Sequence, residues 1–143
     1  MVRRFGQDAD GQMILVDSSV WIGYFNGNIT PQTDWLDSAL GREIIIVGDL
    51  ILAEVLQGFK SDRDFNKAKE LLSSFQFMEM LGRELAVRSA ENYRFLRKKG
   101  ATVRKTIDVI IGTFCIHNNI SLLHDDQDFA PLVKHLKLKV IKL

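Results

Sequence analysis

Of the 18 acidic residues in this 143-residue sequence, six lie at four separated places beside or within a predicted strand or helix where they could do chemistry. They are Asp17, Glu54, Asp108 and the group Asp125, Asp126 and Asp128. Asp17 follows the apolar segment 13–16, and the group of three follows the apolar segment 120–124. Burying a carboxylate costs free energy unless a partner compensates its charge. Acids beside buried segments therefore predict either structural partners or a bound cation.

If these acids lie close together, their negative charges repel one another, and each carboxylate raises the pKa values of the others. A divalent cation removes that conflict, and oxygen ligands favour Mg²⁺ or Mn²⁺. Because Cys115 is the single cysteine, an internal disulfide framework and a zinc site built from cysteines are excluded. Cys115 lies in an apolar segment, which indicates a small core residue. The acids predict a magnesium or manganese site that activates water for a phosphoryl displacement.

Apolar segments alternate with helical patterns from residue 13 to the end of the chain. The predicted strands cover 13–16, 43–47, 75–80, 120–124 and 138–143. Helix signals fill the gaps, the strongest being Thr30 as N-cap before Pro31 at the first helical position. This alternation predicts an α/β domain with a mainly parallel sheet covered by helices on both faces. In such sheets, binding sites form outside the carboxyl ends of the strands, where the acids lie.

Each acid also has a purely structural interpretation. Asp17 could cap the helix that follows it, and Asp108 could be an acid that the helix dipole favours in a first turn. Glu54 lies opposite an apolar stripe and could face solvent, while 124–129 could be a polar loop. The joint placement of the acids favours a shared site over four unrelated roles.

Four segments together resemble the motifs of PIN-domain ribonucleases, most closely those of VapC toxins from prokaryotic type II toxin–antitoxin systems. In order, the segments are "ILVDSSVWIGYF", "LILAEVLQG", "GATVRKTIDVIIGTFCI" and "LLHDDQDF". The resemblance covers 13–143 and implies a PIN-like, Rossmann-like three-layer α/β/α sandwich. Residues 1–12 depart from the pattern, which predicts either a disordered arm or a natural start at Met13.

The resemblance also implies the residues of the site. Four acids would bind Mg²⁺ or Mn²⁺ and serve catalysis, here Asp17, Glu54, Asp108 and Asp126. Asp128 would be an auxiliary metal ligand, and Asp125 is the weaker alternative for the fourth acid. Ser19 matches a small hydroxyl residue that would hydrogen-bond an acid or a water on the metal.

The activity implied is endonucleolytic cleavage of RNA by water that the metal activates. Arg104 and Lys105 directly precede the segment that contains Asp108, and we expect them to hold the RNA backbone. His124 ends an apolar segment, so a packing or supporting role is favoured over catalysis. The alternative is a PIN-like scaffold that binds RNA or protein without catalysis. The presence of all four acids favours the enzyme over this alternative.

The resemblance further implies two partners, a small cognate antitoxin of the VapB type and a second copy of the chain. Apolar surface for either contact could come from Trp21, Trp35, Phe59 or Phe65, for each of which core packing is the simpler interpretation.

The net charge and the apolar segments of the sequence predict where the protein is found but not its substrate. The 19 basic and 18 acidic residues give a formal net charge of +1, which indicates no partner. No apolar segment reaches the roughly 18 residues of a membrane span, and the N-terminus lacks a signal-peptide pattern, so we expect a cytoplasmic protein.

A first strand that ends in aspartate is also typical of haloacid-dehalogenase-like phosphatases and receiver domains. Such a phosphatase needs a second aspartate two residues later, where this chain has Ser19. A receiver domain needs paired acids and a late lysine in an arrangement that this sequence lacks.

Overall fold

The computed structural model describes residues 12–143, in which parallel strands alternate with helices. The strands are β1 (Met13–Val16), β2 (Ile44–Gly48), β3 (Gln76–Met78) and β4 (Ser121–Leu123). The helices are α1 (Ser18–Phe25), α2 (Pro31–Ala39), α3 (Asp49–Leu56), α4 (Asp62–Ser73), α5 (Gly82–Lys98), α6 (Thr106–Asn118) and α7 (Ala130–Leu136), with a 3₁₀ turn at Gln127–Phe129 before α7. The prediction for 1–12 lies outside the described residues except for Gln12. No helix in the described range is long and apolar enough to cross a membrane.

The sheet is parallel throughout, with strand order β3-β2-β1-β4. The chain adds strands on one side of β1 and then crosses to the other side for β4. Because parallel crossovers are right-handed, this reversal puts the helices before β3 on one face and those after it on the other. Accordingly, α1 packs on α2 and α3, and α5 packs on α6 and α7. The predicted α/β/α sandwich is confirmed.

Three predicted strands are shorter than expected. The strand predicted over 120–124 covers only Ser121–Leu123. The strand predicted over 75–80 ends at Met78 because the Met80 backbone N–H donates to Asp49 Oδ1 at 3.0 Å and leaves the strand pairing. The strand predicted over 138–143 is only a bridge between Leu122 and Val140. Its extended part begins late because Lys137 takes the left-handed conformation that ends α7.

The core lies on both faces of the sheet and includes α6, which was expected to be buried. Residues 14–16 of β1 are fully buried, as are Val109 and Phe114 of α6. Burial also raises the pKa of the Cys115 thiol, so this cysteine is a small core residue. A buried strand and a buried helix therefore provide fixed positions for the acids at their ends.

The aromatic candidates for a docking surface are mainly part of the core. Trp21 is fully buried, while Trp35 and Phe59 are partly buried and pack against the core. Phe65 is also partly buried. Trp21 is therefore excluded as exposed docking surface.

Gly112 allows α6 to pack closely against α7. A Cβ atom at this position would overlap the Leu132 side chain, which is fully buried. We expect Gly112→Ala to lower the free energy of unfolding by about 1–3 kcal/mol, because overpacking displaces buried side chains. Urea denaturation tests this, with Gly58→Ala as the control.

The control glycine has room for a methyl group, because its nearest neighbour would be the Val55 carbonyl oxygen at 3.5 Å. We expect Gly58→Ala to change stability by less than about 0.5 kcal/mol. Equal stability of the two variants would contradict a tight contact between α6 and α7.

Candidate active site

Asp17 lies where the strand order reverses, between the carboxyl ends of β1 and β4. Its backbone N–H donates to the Leu123 carbonyl oxygen at 2.9 Å, which extends the pairing of β1 with β4. Its carboxylate caps α1 by accepting from the Ser19 backbone N–H at 3.1 Å and from Ser19 Oγ at 2.6 Å. Such a reversal point opens a crevice at the sheet edge that commonly binds ligands. Asp17 is thus a helix cap and a candidate ligand at once.

Two serines at the start of α1 position the neighbouring acids. Ser19 Oγ also accepts the Asp125 backbone N–H at 3.1 Å, which joins α1 to the segment after β4. Ser18 Oγ donates to Glu54 Oε1 at 3.2 Å. The sequence interpretation did not assign Ser18 to the site, although a hydroxyl in the first turn after the leading acid was a usable signal.

Glu54 approaches the site from α3. Its side chain is half-buried and does not lie on a solvated helix face. Burial raises the pKa of Glu54, the Asp17 charge raises it further, and the Ser18 hydroxyl and the Lys105 charge oppose the shift. Glu54 therefore lies within the electrostatic reach of Asp17 and Lys105.

The remaining acids form a compact group. Asp108, Asp126 and Asp128 each offer a carboxylate oxygen within 4.8 Å of the others. Asp126 caps the 3₁₀ turn by accepting the Asp128 backbone N–H at 2.9 Å. Asp125 is exposed and lies outside this group. Between the two alternatives for the fourth acid, the geometry places Asp126 in the cluster.

The acids at this edge of the sheet have pKa values shifted in opposite directions. Burial raises the pKa of Asp108 to about 6, and repulsion from Asp126 and Asp17 adds to the shift, while Lys105 opposes it. Burial likewise raises the pKa of Asp17. For Asp126, hydrogen bonds from the Asp128 N–H and the Lys105 ammonium outweigh partial burial and lower the pKa. Carboxylates with raised pKa values are those that a cation would stabilise most.

The two predicted RNA-binding residues differ in their surroundings. Lys105 Nζ lies 3.2 Å from Asp126 Oδ2, whereas Arg104 is exposed and, within residues 12–143, forms no ion pair. His124 supports the loop, because its Nδ1 accepts the Asp126 backbone N–H at 3.2 Å and its ring packs on Phe129. Burial lowers the pKa of His124.

The donor set fits a hard divalent cation. Every side-chain atom that the cluster offers to a metal is a carboxylate oxygen, the ligand type that Mg²⁺ and Mn²⁺ prefer. Asp108 Oδ2 is buried, and no group in the described part of the chain donates a hydrogen bond to it. A buried acceptor without a donor is costly, and a bound cation would compensate it.

Comparison with known proteins identifies the family. The model of the PIN domain matches residues 14–134. VapC ribonuclease Mb1587 of Mycobacterium bovis and ribonuclease VapC11 of Mycobacterium tuberculosis are each 26% identical over 129 residues, which is 89% of this chain and 96% of theirs.

Two solved structures share the fold. VapBC2 from Rickettsia felis, bound to a DNA fragment from its promoter, superposes with a TM-score of 0.73 at 15% identity, covering 92% of this chain and 99% of that one. VapC20 of Mycobacterium tuberculosis, described as a sarcin–ricin loop cleaving toxin, gives 0.62 at 15% identity, covering 82% and 92%. At these identities the superpositions establish the fold alone, while the family model spans most of the sequence and its four acidic segments. The chain therefore belongs to the PIN domain family.

Proposed function

We propose that this protein is a metal-dependent endoribonuclease that hydrolyses RNA phosphodiester bonds and acts as the toxin of a type II toxin–antitoxin pair. The observation that carries the proposal is the group of Asp108, Asp126 and Asp128, whose carboxylate oxygens lie within 4.8 Å of one another. Asp17 and Glu54 lie outside this group, but the charge of Asp17 raises the pKa values of both Asp108 and Glu54. The names of the 26%-identical relatives, VapC ribonucleases, support the same activity.

The four acids would hold Mg²⁺ or Mn²⁺, with Asp128 as an auxiliary ligand. The bound cation would supply Lewis acidity, lowering the pKa of water and offsetting charge on the phosphate oxygens. The chain contributes the fixed positions of the acids: Ser19 holds Asp17, and Ser18 holds Glu54. Because Asp17 and Asp108 are buried, their charges are screened less by solvent than exposed charges are.

RNA would bind on the side of the cluster where Arg104 and Lys105 precede α6. These cations would contact phosphate oxygens, which position the strand without reading its sequence. Binding would weaken as salt rises, because phosphate contacts release condensed counterions.

We also propose two protein partners. The structural likeness to VapBC2 from R. felis supports a VapB-type antitoxin as one of them. A second copy of the chain is the other proposed partner. We also propose a cytoplasmic location, where an RNA substrate would be available.

Asp126 and Asp125 offer a matched test of the activity. Asp126 lies in the carboxylate cluster, whereas the adjacent Asp125 side chain is exposed and outside it. We expect Asp126→Asn to slow RNA cleavage at least about 100-fold, since even residues that only orient metal ligands typically contribute 10–100-fold. We expect Asp125→Asn to stay within about threefold of wild type, as for a surface substitution away from such features.

The assay incubates purified protein with total bacterial RNA in Mg²⁺ or Mn²⁺ and resolves the products on a denaturing gel. Discrete fragments that vanish with EDTA and with Asp126→Asn support the proposal. Fragments of equal intensity from both variants would contradict the role of the cluster. RNA that is bound but never cleaved by the wild type would favour the inactive scaffold.

A further inference from the structure

A cation of the protein itself lies among the clustered acids. Lys105 Nζ is 3.2 Å from Asp126 Oδ2, 3.6 Å from Asp108 Oδ2 and 3.8 Å from Asp128 Oδ2. These are the same three residues whose carboxylate oxygens could share a metal ion. The ammonium group therefore contacts the same three carboxylates that could bind a divalent cation.

Lys105 compensates these acids only in part. Its ammonium hydrogen-bonds Asp126, while Asp108 Oδ2 has no hydrogen-bond donor within residues 12–143. One positive charge also faces three carboxylates, with Asp17 close enough to raise the pKa of Asp108. A doubly charged ion with several coordination positions would satisfy the same oxygens more completely.

The position of Lys105 allows its side chain to leave without disturbing the fold. Lys105 is the N-cap residue of α6, with extended backbone dihedrals, and its side chain is 51% exposed. Rotation of the side chain toward solvent would move the charge away from the carboxylates and leave the backbone of α6 in place.

We propose that Lys105 is an internal counterion that occupies the divalent-cation position in the metal-free protein and is displaced when an ion binds. The inference rests on the proposed function only in taking these acids as the metal site. Displacement would release a cation at the rim where RNA phosphates are proposed to bind. Ion binding would thereby make Lys105 available to the substrate.

Isothermal titration of the full-length protein with Mg²⁺ and with Mn²⁺ tests the displacement. Lys105→Met removes the competing charge, and we expect it to lower the metal Kd about fivefold or more, because a cation at contact distance competes directly. Arg104→Met makes the same change of charge one residue away, and we expect a Kd within about twofold of wild type because solvent and salt screen that charge. Lys105→Arg, which keeps the charge, should keep the weaker binding.

Thermal unfolding in EDTA provides a second readout. Without metal, Lys105→Met leaves the acids uncompensated, so we expect its Tm to fall by roughly 2–5 °C. Saturating Mg²⁺ should then raise the Tm of Lys105→Met by more than that of wild type, because the variant binds the ion more tightly.

Several results would overturn the inference. They are an unchanged or higher metal Kd in Lys105→Met, equal effects of the two methionine variants, or absence of binding in all proteins. The titrations contain no RNA, so they test the displacement of Lys105 separately from the proposed activity. A wild type that binds metal but cleaves no RNA would refute the activity, while the metal Kd values of the variants would still test the displacement.

Discussion

Asp108→Asn is expected to reduce RNA cleavage at least about 100-fold, because it removes a proposed metal ligand and even outer residues of metal sites contribute 10–100-fold. The same substitution should stabilise the metal-free protein. Asp108 is 4% exposed, its pKa is raised from 3.8 to about 6 mainly by burial, and asparagine has a similar shape without the charge. Loss of function and gain of stability in one variant would mark a residue that is kept for chemistry and not for folding.

The stability gain has a defined pH dependence. Below pH 3.8 Asp108 is protonated in both the folded and the unfolded chain, so it adds no pH-dependent term. As the pH rises toward 6, the unfolded chain releases the proton while the folded protein retains it, so the wild-type stability falls. Above about pH 6 the cost is complete, at about 3 kcal/mol for a shift of this size. Asp108→Asn should remove that fall.

Urea unfolding in EDTA between pH 4 and pH 8 measures the stability of the wild type and of Asp108→Asn directly. In saturating Mg²⁺ we expect the order to reverse, because the ion stabilises only the protein that binds it. A metal-free Asp108→Asn protein less stable than wild type at pH 8 would contradict a destabilising carboxylate and would make the Lys105–Asp108 ion pair a net structural contact.

The fold was predictable because its signals are local. The buried strands β1 and β2 contain continuous apolar segments, 13–16 and 44–47, as expected for strands covered on both faces. Thr30 before Pro31 predicted the start of α2, and the structure confirms Thr30 as its N-cap. The C-terminal strand was overpredicted because its length depends on where α7 ends, and the left-handed residue there is a lysine, which carries no such signal.

The sequence predicted where the acids lie but not which group of the protein compensates their charge. Asp17 directly follows β1 and Asp126 comes three residues after β4, and parallel topology brings those strand ends together. The position of Lys105 is a different matter. Its sequence neighbours predict a cation near Asp108, but its contacts with Asp126 and Asp128 depend on how the loop after β4 folds over α6. Tertiary placement of a flexible side chain leaves no periodic signal in the sequence.

Trp21→Ala is expected to lower the free energy of unfolding by about 3–5 kcal/mol, the usual cost of emptying a site that a large aromatic ring fills. Trp21 is fully buried and stacks on Phe25 at 5.8 Å between ring centroids. It also contacts the rings of Phe75 and Tyr24, at 5.7 Å and 6.2 Å. Urea denaturation measures the loss, with Trp21→Phe as the control.

Trp21→Phe should cost clearly less than Trp21→Ala. The phenyl ring keeps much of the aromatic packing that alanine loses. Both substitutions remove the indole N–H, which is buried without a hydrogen-bond partner in residues 12–143, so its loss does not separate the two variants. Equal losses in the two variants would contradict aromatic packing as the main contribution of Trp21.

The result bears on the site because Trp21 lies in α1, the helix whose first turn carries Ser18 and Ser19. Domains are typically stable by only 5–15 kcal/mol, so Trp21→Ala would remove a large share of that margin. The aromatic cluster would then anchor the helix that orients Asp17 and Glu54. A Trp21→Ala protein with the stability of the wild type would place the indole outside the core and restore Trp21 as a candidate docking surface.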